Sequence, residues 1–528
     1  MNQIDLISYT QSSFHGGIHP AEFKTISNQT PIDCLTLSDK LYLPLEQHIG
    51  KAAKLIVQQG ERIKQGQLLA EADGNFSANL HSPVNGVIES IGLINTNHPS
   101  TMMQPGIVIK IDDTSQGFTT SSSDNKDWQS LSQEDLLRQV QQAGIVGLGG
   151  ATFPTHIKLA AQSVDTLAVN AMECEPYITC DDRMLQELSD QVIIGAQIAA
   201  KIFSAKQIIF AIEDNKPEAL SSLEKAIIQC KLAVPMTIKV APTKYPSGGE
   251  KQLIELVFNK QLPKNKLPVD IGVVVQNVAT LQAIYQKIVK QQNLTHRLVT
   301  LTGSQMEKPG NYWVAFGTPI KDIIQKLKIS DKGTTIILGG PLMGQQIDNL
   351  MIPVTKSTNC IIFEKQQNLS KPWLTKSIAH QSCIRCSDCE SVCPVDLLPQ
   401  QLYWYSRAEE WEKLEETGIK DCIECGACAY VCPSEIPLVQ YYRFAKTHIR
   451  QNHEKQLKSE KAKQRFEFRE MRLERAKAER ALKHQKAAEA RRKAAQDNNE
   501  DPSGKQKAIN DALERVKMKK QQNQGEDK

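Results

Sequence analysis

The feature that most constrains this chain is a cysteine pattern written twice, CIRCSDCESVCP from Cys383 and CIECGACAYVCP from Cys422. Each copy reads C-x2-C-x2-C-x3-C-P. Three thiolates two residues apart can wrap one corner of an iron–sulfur cubane, while the fourth faces away and ligates the cluster of the other copy. That rule assigns Cys383, Cys386, Cys389 and Cys432 to one [4Fe–4S] cluster. Cys422, Cys425, Cys428 and Cys393 then hold a second. Pro394 and Pro433 stop each local helix and turn the chain. Zinc sites and disulfides are the alternatives, but zinc ribbons offer two CxxC pairs rather than four cysteines with a trailing three-residue gap.

Eight of the 13 cysteines lie in these copies, and Cys34, Cys174, Cys180, Cys230 and Cys360 are scattered at no metal-like spacing. Unpaired thiols beside iron–sulfur motifs suit a reducing compartment, hence cytoplasmic exposure. The opening MNQIDLISYT has no basic stretch followed by an apolar one, so no secretory signal is expected. Nor is any apolar run long enough to span a bilayer, so membrane association is expected through partners or a surface-lying helix. The 11 His show no ligand spacing.

The length of 528 residues allows three to four domains. The net charge of +4 is unevenly spread: residues 451–528 carry 22 Lys and Arg against 14 acids, and the rest carries 41 against 45. The basic surplus therefore lies wholly in the tail. AKAERALKHQKAAEARRKAAQ is helical by propensity, yet the tail has almost no apolar stripe except Phe466, Phe468, Met471 and Leu473. A solvated single helix or a disordered tail is expected. Its charge admits contact with nucleic acid or anionic lipid, but a solvated tail is the simpler reading and no nucleic-acid partner is expected.

Residues up to about 125 read as short strands broken by Gly60, Gly66, Pro83 and Gly86. The Ser/Thr/Asp-rich run from Thr114 to Asn125 reads as a linker. A helix capped by Ser132 then opens into AGIVGLGGATFPTHIKLA. Gly144, Gly147, Gly149 and Gly150 would let an anion approach the backbone and the next helix N-terminus, near Lys158, although a tight structural turn explains them equally well. The strand TLAVNA ends at Asn170, at the edge where α/β sheets bind ligands, and passes into a loop with Glu173 and Glu175. Those acids fit either a site or a solvated loop.

Helix and strand alternate from Asp190 to Pro268, ending in KYPSGGEKQLIELVF, where Gly248 and Gly249 turn the chain. Glu250 opens the next helix, as a site residue or as a plain dipole-stabilising cap. VDIGVVVQNVATLQAIYQKI is a buried strand passing at Gln276 and Asn277 into a helix.

The order GxGGATFPTxxK, NAxExEP, YPSGGE, VQNVAT is similar to the NADH- and FMN-binding subunit of respiratory complex I. VTLTGSQMEKPGNYWVAFGTPIKDII resembles the β-grasp (SLBB) module that follows the flavin domain there. The N-terminal region resembles the barrel-sandwich fold of biotinyl and lipoyl carriers, but Ala72-Asp73-Gly74-Asn75 holds no acceptor Lys, so a structural or docking module is expected. This order, closed by a bacterial ferredoxin-like pair of motifs, resembles the RnfC family of Rnf-type (also called Rsx) electron-transport complexes over residues 1 to about 445.

The resemblance implies a multidomain α/β and α+β chain. Its parts would be a barrel-sandwich domain and linker (1–125), an α/β FMN/NADH-binding core (126–295), an SLBB β-grasp module (296–368), a two-cluster ferredoxin-type domain (369–448) and a basic helical or disordered tail (449–528). It implies an FMN cradle of Gly147, Gly149, Gly150, Lys158, Asn170, Glu173, Gly248, Gln276, Asn277 and Thr280. The nicotinamide side would involve Gly150, Ala151, Phe153, Tyr245 and the catalytic carboxylates Glu175 and Glu250. An aromatic such as Phe153 can stack on a planar ring, and carboxylates can accept from ribose hydroxyls. Leu148, Thr152, Met172 and Gly249 depart from the complex I pattern.

The activity implied is that of an NADH/ferredoxin-type oxidoreductase component of an ion-translocating complex, peripheral on the cytoplasmic side of the inner membrane. Its partners would be membrane-embedded and peripheral subunits and a ferredoxin-type carrier. A stand-alone soluble reductase resembling cobalamin reductases and a non-enzymatic electron wire are the other readings. Tyr403, Trp404 and Trp411, in the helical spacer between the motifs, are expected to pack around the clusters. YYRFAKTH reads as a docking helix.

Overall fold

The alternation of apolar strands with amphipathic helices produces a five-stranded parallel sheet at the centre of the chain. The computed structural model describes residues 6–97, 102–112, 127–161, 164–230, 233–263, 266–330, 333–365, 381–497 and 502–522. The expected linker from Thr114 to Asn125 lies outside them. In spatial order the strands are Ile7–Tyr9, Met236–Ala241, Gln207–Glu213, Thr166–Ala171 and Val273–Asn277, every pair parallel. Both faces are covered, as a parallel sheet requires. Leu167, Val169, Ile208, Phe210, Ile212 and Val274 pack on the face shared with the helices Cys180–Ile202 and Val278–Ile288. The alternate residues Ala168, Ile209, Ala211, Val273 and Val275 pack with the helix Glu250–Phe258. All five strands run the same way, so their carboxyl ends share one edge.

The N-terminal sandwich consists of two small antiparallel sheets. One holds Lys40–Pro44, Gln104–Ile111, Gly86–Ile94 and Arg62–Ile63, the other Lys54–Leu55, Leu68–Glu71 and Leu80–His81. Leu41, Leu43, Ile63, Leu69, Ile88, Ile107 and Ile109 fill the space between them.

The barrel unit expected over residues 1–125 needs correction at its start. Ile7–Tyr9 belongs to the central sheet through Met236–Ala241, and Asp33–Cys34 pairs in parallel with Gly310–Ala315. The chain crosses two other sheets before the sandwich begins at Lys40. These strands are three and two residues long, too short to carry a periodic signal of their own.

A third, mixed sheet has the order Gln345–Ile347, Thr334–Leu338, Cys360–Lys365, His296–Thr302, Gly310–Ala315, Asp33–Cys34. Its central pair, His296–Thr302 with Cys360–Lys365, is parallel, and the helix Ile320–Lys326 lies between hairpin and return strand in sequence. Lys356, from the loop before the return strand, donates through Nζ to the carbonyls of Asn79 in the sandwich (2.8 Å) and Gly144 of the central domain (2.7 Å). That amine is fully buried with no carboxylate partner among the described residues, and burial pushes its pKa down to about 7.

The cysteine region is built of the short helices Asp388–Ser391, Pro399–Arg407, Trp411–Glu416 and Ala427–Val431, followed by the start of Leu438–Asp497. Residues 1–446 form one compact unit. The second unit, 447–528, contains, among its described residues, the rest of Leu438–Asp497 and then Pro502–Gln522. From His453 onward every side chain described is exposed, Phe466, Phe468, Met471 and Leu473 included.

Candidate functional site

Nine of the fifteen residues expected around a flavin and a nicotinamide lie on the Gly-rich loop or on loops that follow the parallel strands; Asn170, Gln276 and Asn277 stand at strand ends, and Lys158, Glu250 and Thr280 lie on helices. The Gly-rich loop is closed by Gly147 N–H to Phe153 O (2.8 Å) and Thr152 N–H to Gly147 O (3.0 Å). It is tied to the helix behind it by Leu148 N–H donating to Thr280 Oγ1 at 2.9 Å. Gly149, Gly150 and Ala151 are exposed at its tip. Gly150 has φ +117° and nothing within 4 Å of where a Cβ would stand, so the backbone there opens onto free space. Gly149 backs onto the side chain of Asn277, 3.2 Å from a Cβ position. The helix expected after this loop spans only Thr155–Leu159, so Lys158 stands on its last turn.

Lys158 Nζ meets Glu250 Oε1 at 2.6 Å, with both side chains over a third exposed. Asn170 donates through Nδ2 to Gly248 O (2.9 Å), and Gly248 N–H reaches Cys174 Sγ (3.3 Å). Asn277 caps its helix by accepting from Ala279 N–H (2.9 Å) and donates to Asp181 Oδ2 (2.5 Å). Gln276 is 3% exposed, and its amide Nε2 has no partner among the described residues. A buried donor left open costs free energy until something accepts from it. The exposed glycine tip and this orphaned amide fit a bound FMN.

Four further expected site residues also have structural partners. Glu173 accepts from Asp181 N–H (2.7 Å) and Asp182 N–H (3.2 Å), satisfying the first turn of Cys180–Ile202. Glu175 Oε1 accepts from the N–H groups of Leu342 (2.9 Å) and Met343 (2.8 Å) in the third sheet's loop. Burial pushes its carboxyl above the usual range, against the pull of those donors. Phe153 packs edge-on against Phe76 of the sandwich, centroids 6.0 Å apart. Tyr245, 2% exposed, donates its hydroxyl to the carbonyl of Cys425 at 2.6 Å. That hydroxyl ties the turn to a cysteine loop, a contact the sequence alone does not suggest. Leu148 and Met172, two departures from the complex I pattern, are buried core residues. A cavity of about 330 Å³ against Leu148, Gln282 and Arg297 holds none of the expected flavin or nicotinamide residues.

The cysteines gather into two separate cavities. Cys383, Cys386, Cys389 and Cys432 line one, with Gln400 and Tyr403. Cys393, Cys422, Cys425 and Cys428 line the other, with Pro399, Leu402 and Tyr442. Each cavity thus takes three cysteines from one copy and the fourth from the other. Burial, then the neighbouring thiols, pushes Cys389 up to about 11. Burial, against backbone N–H groups, takes Cys425 to about 12. Cys428 lies well above its ordinary value for the same first cause. Thiols crowded in this way become thiolates only when cations offset their charge, so the donor sets fit iron–sulfur clusters. Backbone N–H groups of Leu397 and Glu424 point at Cys393 Sγ and Cys422 Sγ, each at 3.4 Å. Of the spacer aromatics, Tyr403 is buried at the first cavity, while Trp404 is 38% exposed. Tyr442, from the expected docking helix, donates to Pro399 O at 2.7 Å.

Several supporting residues escaped the sequence reading. Lys24 Nζ donates to the carbonyls of Glu173 (2.6 Å), Ile178 (2.7 Å) and Glu175 (3.2 Å), fixing the acidic loop. Nothing local to Lys24 signals this. The run GGPLMG at 339–344, whose Leu342 and Met343 meet Glu175, does carry a glycine signal. Arg443 and Lys446 grip Glu424 at 3.1 and 2.8 Å beside the second cavity. Although burial pushes the Glu424 carboxyl up, Lys446 and Arg443 hold it below the usual range.

Residues 12–114 match the family described as RnfC barrel sandwich hybrid domain, residues 140–286 the Nuo51 FMN-binding domain, and residues 382–436 the 4Fe-4S dicluster domain. The C subunit of the ion-translocating oxidoreductase complex of Vibrio cholerae serotype O1 (strain O395) is 46% identical over 96% of this chain and 64% of its own length. This chain thus spans a little under two thirds of that relative. Its counterpart in Haemophilus influenzae strain PittEE is 45% identical over 88% of this chain and 70% of its own length. For Klebsiella pneumoniae strain 342 the figures are 42%, 96% and 65%. With three domain families in this order and identity of this level across most of its length, the chain belongs to the family of C subunits of the ion-translocating oxidoreductase complex.

Proposed function

We propose that this chain exchanges a hydride between NAD(H) and FMN and hands single electrons to two [4Fe–4S] clusters. It would do so as the redox component of a membrane complex that couples this transfer to ion translocation. One observation carries the reading: the turn that borders the flavin edge also touches the second cysteine cavity, through Tyr245 and Cys425. FMN, when bound, supplies the conversion between two-electron hydride chemistry and the one-electron chemistry of a cluster.

The chain's own residues do the rest. The Gly-rich loop, Asn170, Gly248, Gln276 and Asn277 bind and orient the flavin. Lys158 and Glu250 present a half-exposed ion pair at the open side, where a dinucleotide enters. Glu175 ties the loop of Leu342 and Met343 to the side facing the cysteines. The burial of Cys393, Cys425 and Cys428 favours the second cluster as the first acceptor. The exposure of Cys386 favours the first cluster as the point of exit to a ferredoxin-type carrier.

In this reading the flavin core extends to about 295, an SLBB module fills 296–368, the clusters occupy 369–448 and a basic tail begins near 449. Attachment is peripheral, on the cytoplasmic side, through partner subunits; among the described residues no helix is long and apolar enough to cross a membrane. The test is anaerobic stopped-flow of the chain reconstituted with FMN and iron, mixed with NADH. Flavin bleaching followed by loss of the broad cluster absorbance is expected. Bound flavin that stays oxidised would sink the NADH assignment.

A further inference from the structure

The turn from Tyr245 to Glu250 runs between the flavin edge and the second cysteine cavity, and it is pinned from beneath. Glu213 ends the strand Gln207–Glu213 and is fully buried. One carboxylate oxygen accepts from Ser247 Oγ at 2.7 Å and the other from Lys216 Nζ at 2.8 Å. Both side chains of this ion pair are 0% exposed. Lys216 also donates to Asn215 Oδ1 at 2.8 Å. The next residue, Asp214, accepts from Thr243 N–H and Oγ1 at 2.9 and 2.7 Å. Strand end and turn stem are thus joined at two successive residues.

A buried ion pair is a poor way to gain stability, because desolvation offsets most of its Coulomb energy and an apolar pair of similar volume commonly does as well. What it provides is a fixed, charge-assisted acceptor. That acceptor holds Ser247 at the middle of the turn. Two residues before it stands Tyr245, with its hydroxyl on the Cys425 carbonyl. One residue after stands Gly248, held by Asn170 and Cys174, and three after stands Glu250, on Lys158. We propose that Glu213 and Lys216, acting through Ser247, are positioning residues that set the spacing between the flavin edge and the second cluster. The proposal rests on the flavin-and-cluster reading above.

The test uses the full chain loaded with FMN and iron, as wild type, Ser247→Ala, and the double variant Glu213→Gln with Lys216→Met, which removes both charges of the pair together. Three quantities are read: flavin reduction by NADH, the following cluster reduction, and the electron paramagnetic resonance of the chemically reduced clusters. In both variants FMN and iron content and the first step stay as in wild type. Cluster reduction slows, by up to about 100-fold for a misplacement approaching ~1 Å. The second cluster's signal shifts, while that of the cluster on Cys383 stays put and serves as reference. Unchanged cluster reduction with unchanged spectra overturns the proposal. So does a loss of FMN, iron and thermal midpoint together with normal transfer per bound flavin, since that is a purely structural role. If wild type passes no electrons from NADH, the parent reading fails, and the spectra of the chemically reduced variants still decide the positioning.

Discussion

The two cysteine copies share one backbone and differ in what surrounds it. Arg385 and Glu424, at the same place in the two motifs, both have φ near +58°, and Ser387 and Gly426 two residues later are again left-handed, at +65° and +80°. Asp396 and Glu435, three residues past each fourth cysteine, repeat the match at +51° and +54°. Around the first copy Ile384 is 67% exposed and Arg385 stands in solvent. Around the second, Ile423 packs with Tyr245 and Leu342, and Glu424 is clasped by Arg443 and Lys446. Spacing fixes the donors and the local fold, whereas potential and access come from neighbours supplied by other domains.

Removing one ligand from each copy gives the largest effect and the sharpest test of this contrast. Cys428→Ala should lose the iron of the second cluster and, with it, NADH-driven reduction of the first. Cys386→Ala should lose only the first cluster and leave flavin-to-cluster transfer running. Iron content and stopped-flow absorbance read both. Equal loss of NADH-driven reduction in the two variants would break the proposed order.

A smaller effect separates the copies at a single backbone position. Gly426 sits at φ +80° with a Cβ position 2.6 Å from the Leu342 carbonyl oxygen, so Gly426→Ser meets both an unfavourable backbone region and a backbone atom. A destabilisation of about 2 kcal/mol or more is expected in chemical denaturation, with iron loss confined to the second cluster. An unchanged midpoint would mean that the second copy is not packed against the third sheet's loop.

What was legible in the sequence follows the same division. The cysteine spacing, the apolar strands and the glycine turns are local patterns, and the structure places each where the pattern requires. Residues whose roles depend on distant partners carried no such mark. Lys24 reaches the acidic loop across 149 residues, and Tyr245 reaches Cys425 across 180. Ile7–Tyr9 pairs with a strand beginning at Met236. No local period encodes contacts of that span. Tyr245 was marked only through resemblance, and its hydroxyl's partner became visible once the domains were assembled.

Lys356 shows what burial does to a charge when no metal offsets it. Its folded pKa of about 7 lies below the ordinary 10.5, so between those values the unfolded chain binds the extra proton and stability rises with pH. Below about 7 the full penalty of a buried ammonium is present, near His48 and His81. Lys356→Met should flatten that rise, by up to about 1.4 kcal/mol per pH unit. The thermal midpoint of both forms across this range reads it. The same slope in chains lacking either cluster would show that the scaffold's electrostatics are independent of the comparison between the copies, whereas a slope lost with the second cluster alone would tie them together.

The smallest effect lies in the first copy, at the residue matching Gly426. Ser387 holds φ +65° with an exposed side chain, and its hydroxyl makes no capping bond to the helix Asp388–Ser391 that follows. Ser387→Gly therefore removes about 1 kcal/mol of left-handed strain and loses no capping bond. Against that gain stands the greater freedom of glycine in the unfolded chain, about 0.5–1 kcal/mol. The two terms nearly cancel, so the denaturation midpoint should stay level or rise slightly, with both clusters retained. A clear loss would mean that the Ser387 side chain meets something at the surface of the first cluster, and the copies would then differ in a bound partner as well as in burial.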